Sequence, residues 1–481
     1  MDNIFNIRLN KKQNLEKQGI YPYGRKFDKA RTIKETSDNY KEGADVCTAG
    51  RIMSIRSHGA SVFLDIKDFT GKIQLYFKKD TIGEENFNIF KQDIDIGDII
   101  GTFGSLCKTR TQEITINVSK FTLLSKALRP LPEKWHGLKD VEIRYRQRYL
   151  DLISNEKAKD IFVLRTKLIG KIRSFLDEKG YLEVETPMLH QIPGGASGKP
   201  FKTRHNVYDT DLFMRIAPEL YLKRLLVGGI DKVYEINKSF RNEGISPRHN
   251  PEFTMLEVYT AYADYNDMMS LTENLIYYLA KELLQKTQVL YKGKTVDLAP
   301  PWKRVSFAEV MKENFDITEN DDISTWAKKL KAKGVEIETK DISRTKLINI
   351  IADVLEPKDE QKEDAKPTFV IDYFTELCPL AKTKADNPSL SERFELYIGG
   401  MEVANAYSEL NDPIQQKERF KQQIEQEGGG ILDEDFVTAL EYGMPPAGGL
   451  GIGIDRLVMV FTDQESIREV ILFPQLKPEK S

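Results

Sequence analysis

Residues 240–259 read FRNEGISPRHNPEFTMLEVY, a polar loop that runs into a regular strand. Side chains of a strand repeat every second residue. Phe253, Met255, Glu257 and Tyr259 therefore share one face, and Thr254, Leu256 and Val258 share the other. The second set suits a core. The first carries a ring, a carboxylate and a phenol, which are costly to bury against apolar neighbours. Such a face suits a flat base and a small cation. Arg241, Arg248 and His249 in the preceding loop add the charges a nucleoside triphosphate requires. Taken alone, the stretch describes a hairpin with a charged tip equally well, so the rest of the chain has to decide.

The chain has 481 residues, enough for two or three domains with large cores. An apolar content of 40% with 30% charged residues describes a soluble globular protein. No apolar run reaches the roughly 18 residues of a membrane span, and the N-terminus lacks the apolar segment of a signal peptide. Three scattered cysteines, Cys47, Cys107 and Cys378, fit a reducing cytoplasm and argue against a disulfide framework or a cysteine zinc site. Net charge is −3, with an excess of base in residues 1–150 and an excess of acid beyond. That asymmetry points to a polyanionic partner for the front of the chain, the alternative being a lysine-rich solvated surface.

In chain order, residues 3–19 predict a polar helix and 20–43 an extended arm. Residues 44–125 hold five strand-like stretches, Val46–Arg56, Ser61–Lys67, Lys72–Lys78, Asp98–Cys107 and Gln112–Leu124, with a helix at Glu84–Lys91. That order is the order of an OB-fold, whose second and third strands bind oligonucleotides. Phe63 falls on its solvent face, beside Gln74 on the next strand, as a stacking platform with an adjacent amide. Residues 126–150, with Pro130 and Pro132, predict a linker. Residues 160–179 carry helical spacing capped by Gly180, and Tyr181–Glu185 reads as a strand. Residues 191–205 form a Gly-rich loop without the phosphate-loop pattern. Lys232–Phe240 pairs with the opening strand. Residues 260–290 and 412–446 are expected to be helical, 300–366 a helical insertion, 367–382 a strand, and 392–410 a hairpin turning at Gly399–Gly400. Glu402 and Glu409 differ in parity, so they can meet on one ion only across a bulge. Gly448, Gly449, Gly451 and Gly453 make a strand that lets a ligand approach the backbone.

GYLEVETPML (180–189) with its preceding helix, FRNEGISPRHNPEF (240–253) and GLGIGIDRL (449–457) resemble motifs 1, 2 and 3 of the class II aminoacyl-tRNA synthetases. With the barrel, they resemble the aspartyl/asparaginyl/lysyl subgroup. RIAPELYLKRLL (215–226), EFTMLEVYTAYADY (252–265) and NAYSELNDP (405–413) are similar to its lysine-specific members. The resemblance covers about residues 44–475. It implies an α+β catalytic domain over 151–481, with a mainly antiparallel sheet flanked by helices, behind an all-β OB-fold anticodon-binding domain.

The same resemblance implies roles for residues. Arg241 holds the lysine carboxylate and the α-phosphate of ATP, Glu243 the adenine amino group, and Phe253 the ring. His249 and Arg456 meet the outer phosphates. Gly195 and Glu219 take the α-amino group, while Glu257, Tyr259, Asn405 and Glu409 surround the side-chain ammonium. Glu402 and Glu409 bind magnesium, and Phe63, Gln74 and Glu113 read the middle anticodon base of tRNA(Lys). A homodimer through residues 160–187 follows from motif 1. Phe374 and Lys382 depart from the subgroup, which tends to carry Pro and Arg there. A lysine ligase acting on protein is the rival that would lack the barrel, and a non-catalytic RNA-binding relative is the rival that would tolerate loss of Arg241, Glu243 or Arg456.

Overall fold

The computed structural model describes residues 2–132, 140–196, 198–319, 321–337, 343–355, 357, 366–426 and 429–478. The chain divides into two compact units, residues 1–139 and 140–481.

In the first unit five strands close a barrel. They span Asp45–His58, Ser61–Lys67, Lys72–Lys78, Ile99–Lys108 and Ile114–Ser125, and the fifth lies between the third and the fourth. Alternation explains the closure: Val62, Leu64, Ile66, Leu75, Phe77 and Ile116 all point inward and are buried. Helix Glu84–Asp93 caps the barrel by stacking Phe90 on Phe77, ring centroids 4.5 Å apart. The N-terminal helix Asp2–Lys17 is tied down by Arg8, whose guanidinium donates to the carbonyls of Ile96, Ala127 and Arg129 at 3.0 Å each. The arm expected over 20–43 contains a helix, Ile33–Asp38, because Thr32 and Glu35 form a capping box.

The expected linker of 126–150 is ordered at both ends of its described part, and 133–139 lie outside the described residues. Lys126 is buried against Asp95 and Asp98, at 2.6 and 2.8 Å. Beyond 139, Val141–Arg146 and Arg148–Ser154 are helices of the second unit. Arg148 is fully buried because Asp151 and the carbonyls of Arg468, Ile471 and Leu472 absorb its donors.

The second unit is built on an eight-stranded sheet. Its order is Lys303–Ser306, Thr368–Phe374, Leu390–Ile398, Met401–Ser408, Ala447–Gly453, Glu252–Ala261, Lys232–Phe240 and Leu182–Glu183. All pairs are antiparallel except the two at the sheet edges. Leu256, Val258, Leu450 and Ile452 face helices Glu156–Glu178, Tyr265–Leu284 and Ile454–Thr462 in one core. The opposite face carries the polar residues.

Several expectations are refined. The edge strand Lys303–Ser306 lies inside the stretch expected to be helical. The helices that follow it, Phe307–Phe315, Ile323–Ala332 and Arg344–Val354, share a separate core. Phe374, one of the departures, belongs to that core, beside Phe307 and Trp326. Residues 202–205 of the Gly-rich loop pair with Thr210–Met214, and Gln288–Tyr291 pairs with Lys294–Asp297 in a hairpin.

The barrel generates a stability test. A Cβ at Gly104 would stand 2.2 Å from the Asn117 carbonyl oxygen across the ladder. Gly104→Ala should lower the calorimetric stability of the barrel by about 2 kcal/mol or more; an unchanged melting profile would mean that the two strands are not packed this closely.

Candidate active site

The polar face of the sheet is a trough with a side-chain-free floor. Gly449 pairs with Tyr259 on one side and Tyr407 on the other, and Gly451 pairs with Glu257 and Asn405. Glycine at these positions lets the flanking side chains lean over the strand. A Cβ at Gly449 would lie 1.8 Å from Glu409 Oε1 and 2.6 Å from the Tyr259 ring.

At one end of the trough the acids gather. Glu219 is the first residue of helix Glu219–Val227, and Gly195, with φ +87°, brings its loop against the Glu219 side chain. Glu257 lies on one of the strands flanking the glycines, and Glu409 directly follows the end of the other. All three carboxylates are buried. Tyr259 OH donates to Glu257 Oε2 at 3.3 Å, and Tyr407 OH donates to Glu219 Oε2 at 2.7 Å. Glu409 Oε1 is buried without a hydrogen-bond partner. Burial, with the nearby charges of Glu219 and Glu235, pushes the Glu257 carboxyl up to about 8. Burial also raises Glu409. Lys223, which the sequence reading passed over, is the one ion-pair partner of these acids among the described residues. Its Nζ stands 2.7 Å from Glu219 Oε1 and also bridges to Glu409.

At the other end the cations gather. The Arg241 guanidinium lies 5.3 Å from the Phe253 ring centre, and its buried Nε has no partner. Arg456, in the first turn of helix Ile454–Thr462, donates to the Glu402 carboxylate and to the Glu402 carbonyl, at 2.8 Å each. It also lies 3.1 Å from His249 Nε2. A guanidinium only donates, so Nε2 accepts, and Nδ1 carries the proton to Ser246 Oγ, 2.8 Å away. Partial desolvation and the Arg456 charge lower His249, which keeps it neutral. Glu243 is exposed in the loop and accepts weakly from the Lys199 amide at 3.3 Å.

Glu402 and Glu409 do not meet. The expected irregularity exists: Tyr397 faces Glu402 while Leu396 faces Ala404, so Val403 is the extra residue. This bulge turns Glu402 onto the trough face. There Arg456 holds it below the ordinary carboxylate range, although burial opposes that shift. Its acidic neighbour is Glu395, which burial and Glu402 raise, whereas Glu409 answers to Lys223, Glu219 and Glu257. Glu395 accepts from Arg393 at 2.7 Å and from Tyr373 and Tyr397 at 2.8 and 2.9 Å. Arg393 also donates to Asn405 Oδ1 at 3.1 Å. The sequence carried a signal for this set, because Arg393, Glu395 and Tyr397 alternate with Phe394, Leu396 and Ile398. Among the described residues no three acids, histidines or cysteines cluster closely enough to hold a metal by themselves.

In the barrel, Phe63 stacks on its cross-strand partner Tyr76, ring centroids 4.5 Å apart. Gln74 differs from expectation. It sits opposite Asp65 and is buried, its amide donating to Glu113 Oε2 and its carbonyl accepting from Thr115 Oγ1, both at 2.9 Å. The open aromatic pair is Phe63 with Tyr76, and Gln74 orients the exposed Glu113 carboxylate.

Residues 140–477 match the family described as tRNA synthetases class II (D, K and N), and residues 46–124 match the OB-fold nucleic acid binding domain. The chain belongs to this class II synthetase family. It is 52% identical to a protein of Pelotomaculum thermopropionicum over all of this chain and 96% of that one. It is 53% identical to one of Carboxydothermus hydrogenoformans over 99% of each, and 51% identical to one of Thermotoga maritima over 98% of this chain and 96% of that one. Each of these relatives bears the name lysine–tRNA ligase.

The glycine floor is testable. Because the Gly449 Cβ would displace Glu409 and Tyr259, Gly449→Ala should lower kcat/KM for the amino acid by about 100-fold while the ATP KM stays put. Equal losses for the two substrates would mean that the floor is not part of the amino-acid end.

Proposed function

We infer that this chain is a lysine–tRNA ligase. It activates L-lysine with ATP to give lysyl-adenylate and pyrophosphate, then passes the lysyl group to the 3′-terminal ribose of tRNA(Lys). The observation that carries the choice of lysine is the acid-rich end of the trough: three buried carboxylates, Glu219, Glu257 and Glu409, against one buried ammonium, Lys223. A neutral side chain would leave buried acids unmatched, at a cost of roughly 2 kcal/mol or more.

The geometry supports a division of labour along the trough. Glu219, beside Gly195, takes the α-amino group. Glu257 and Glu409 take the ε-ammonium, with Tyr259 and Asn405 alongside. Arg241, from the cation end, holds the lysine carboxylate against the α-phosphate. The adenine ring lies on Phe253, and Glu243 accepts from its amino group. Arg456 and His249 receive the outer phosphates, with neutral His249 donating once its ring proton is freed from Ser246. The lysine carboxylate is already a nucleophile, so the first step requires no general base. Its oxygen bonds to the α-phosphorus, the bond to the bridging oxygen breaks, and pyrophosphate leaves. Alignment and charge neutralisation therefore do the catalytic work. In the second step a ribose hydroxyl attacks the acyl carbon, the acyl–phosphate bond breaks, and AMP leaves as its phosphate takes up the hydroxyl proton.

Glu402 with Glu395, rather than with Glu409, suits a magnesium ion. Two carboxylates are too few for a protein-only site but match an ion that keeps phosphate ligands. When bound, magnesium supplies charge neutralisation to the phosphates. The Phe63–Tyr76 pair with Glu113 suits an unstacked anticodon base. A homodimer is supported by the exposed Leu182, Met188 and Leu189, beside a cavity of about 1020 Å³ lined by Arg165, Arg215, Glu235 and Phe473. No helix among the described residues is long and apolar enough to cross a membrane, and the three free cysteines suit a cytoplasmic location.

The reading predicts pyrophosphate exchange into ATP that depends on lysine and proceeds without tRNA. Exchange driven by aspartate, or by no amino acid, would overturn it. Glu257→Gln should raise the lysine KM by about 30-fold or more with the ATP KM unchanged; a parallel rise in both would remove Glu257 from the amino-acid end.

A further inference from the structure

Lys223 has no task in the ligation chemistry, yet it occupies the centre of the acid-rich end. It lies one turn into helix Glu219–Val227 with its side chain wholly enclosed. Its ammonium touches Glu219 Oε1 at 2.7 Å and bridges to Glu409 Oε2. The Tyr407 ring centre is 5.5 Å away, and the Tyr407 hydroxyl holds the other oxygen of Glu219. Burial disfavours the ammonium, but Glu219 and Glu409 outweigh burial and raise its pKa, so it remains charged. A buried ion pair is a weak source of stability compared with apolar packing of the same volume. Stability alone therefore gives little reason for a lysine here, where a methionine would fill the space.

Charge supplies a reason. Glu219, Glu257 and Glu409 contribute three negative charges when ionised, and Lys223 offsets one of them. Two remain. A diamino acid brings two ammonium groups to this end of the trough and sends its carboxylate toward Arg241. Among the described residues neither oxygen of Glu409 has a hydrogen-bond partner, but Oε2 is ion-paired with Lys223, so Oε1, beside the glycine floor, is the oxygen without an ion pair.

We propose that Lys223 is a specificity-determining positioning residue, an internal ammonium that ties Glu219 to Glu409 and leaves one carboxylate position for each amino group of the incoming substrate. This rests on the reading that the pocket takes lysine. Without Lys223, Glu219 and Glu409 repel each other, and the two ends of the substrate lose their registration. Lys223 itself touches neither the phosphates nor the reacting carboxylate.

The test is pyrophosphate exchange by the full-length wild type, Lys223→Met and Lys223→Arg. Wild type comes first. If it shows no lysine-dependent exchange, the substrate reading fails whatever Lys223 does. With an active wild type, Lys223→Met is expected to raise the lysine KM by about 30-fold or more, with kcat at saturating lysine changed less than about threefold and the ATP KM unmoved. Lys223→Arg, which keeps the charge on a bulkier head, is expected to show a smaller rise of the same kind. An unchanged lysine KM in Lys223→Met, or lysine and ATP KM values rising together, overturns the proposal. If a thermal melt shows Lys223→Met to be unfolded, Lys223→Arg decides: a rise confined to the lysine KM upholds the proposal, and no rise or a joint rise overturns it.

Discussion

A local excess of buried negative charge is the constraint around which the catalytic unit is arranged. Glu219, Glu257 and Glu409 are withdrawn from water into one end of a trough, and Lys223 answers only part of their charge. Desolvating a carboxylate without a partner costs several kcal/mol. Burial, with the charges of Glu219 and Glu235 nearby, keeps Glu257 protonated near neutrality, its carboxyl pushed up to about 8. Under the proposed assignment, a substrate that brings positive charge lets that proton leave. Selectivity for a cationic amino acid and affinity for it then have the same origin.

The backbone makes this arrangement possible. The central strand Ala447–Gly453 offers glycine where the acids and phenols of its neighbours lean in, so the trough has a floor without side chains. At the other end, the extra residue Val403 rotates Glu402 onto the trough face. That single irregularity gives Arg456 its carboxylate partner and brings Glu395 and Glu402 together. The same sheet thus presents acids at one end and a mixed cation and carboxylate set at the other. This is the polarity that an amino acid and a magnesium-bound triphosphate require when placed head to head.

Much of this was legible in the order of residues, and the failures have physical causes. Strands with strict alternation were readable to the residue: Ser61–Lys67, Lys72–Lys78 and Lys232–Phe240 form where their patterns indicate. The parity conflict between Glu402 and Glu409 correctly required a bulge. Parity alone could not reveal that the bulge brings Glu402 to Glu395, because cross-strand register also depends on the turn at Gly399–Gly400; Glu409 shares the trough face but lies about 20 Å farther along the strand. Gln74 was expected as an amide beside Phe63; its burial against Glu113 and Thr115 was not readable, because those partners come from a distant segment of chain. Arg148 fell within the expected linker, whereas carbonyls more than 300 residues away absorb its donors. Lys223 was passed over in the same way, since a lysine one turn into a helix looks like surface until its neighbours are known.

The claim that the pocket is short of positive charge is tested most directly by counting protons. Calorimetric titration of lysine at about pH 7, repeated in buffers of different ionisation enthalpy, should show release of close to one proton per lysine bound as Glu257 ionises, with release fading above about pH 9. Binding of lysine with no proton released at about pH 7, and with the same enthalpy in every buffer, would mean that the carboxylates are already ionised and matched without the substrate.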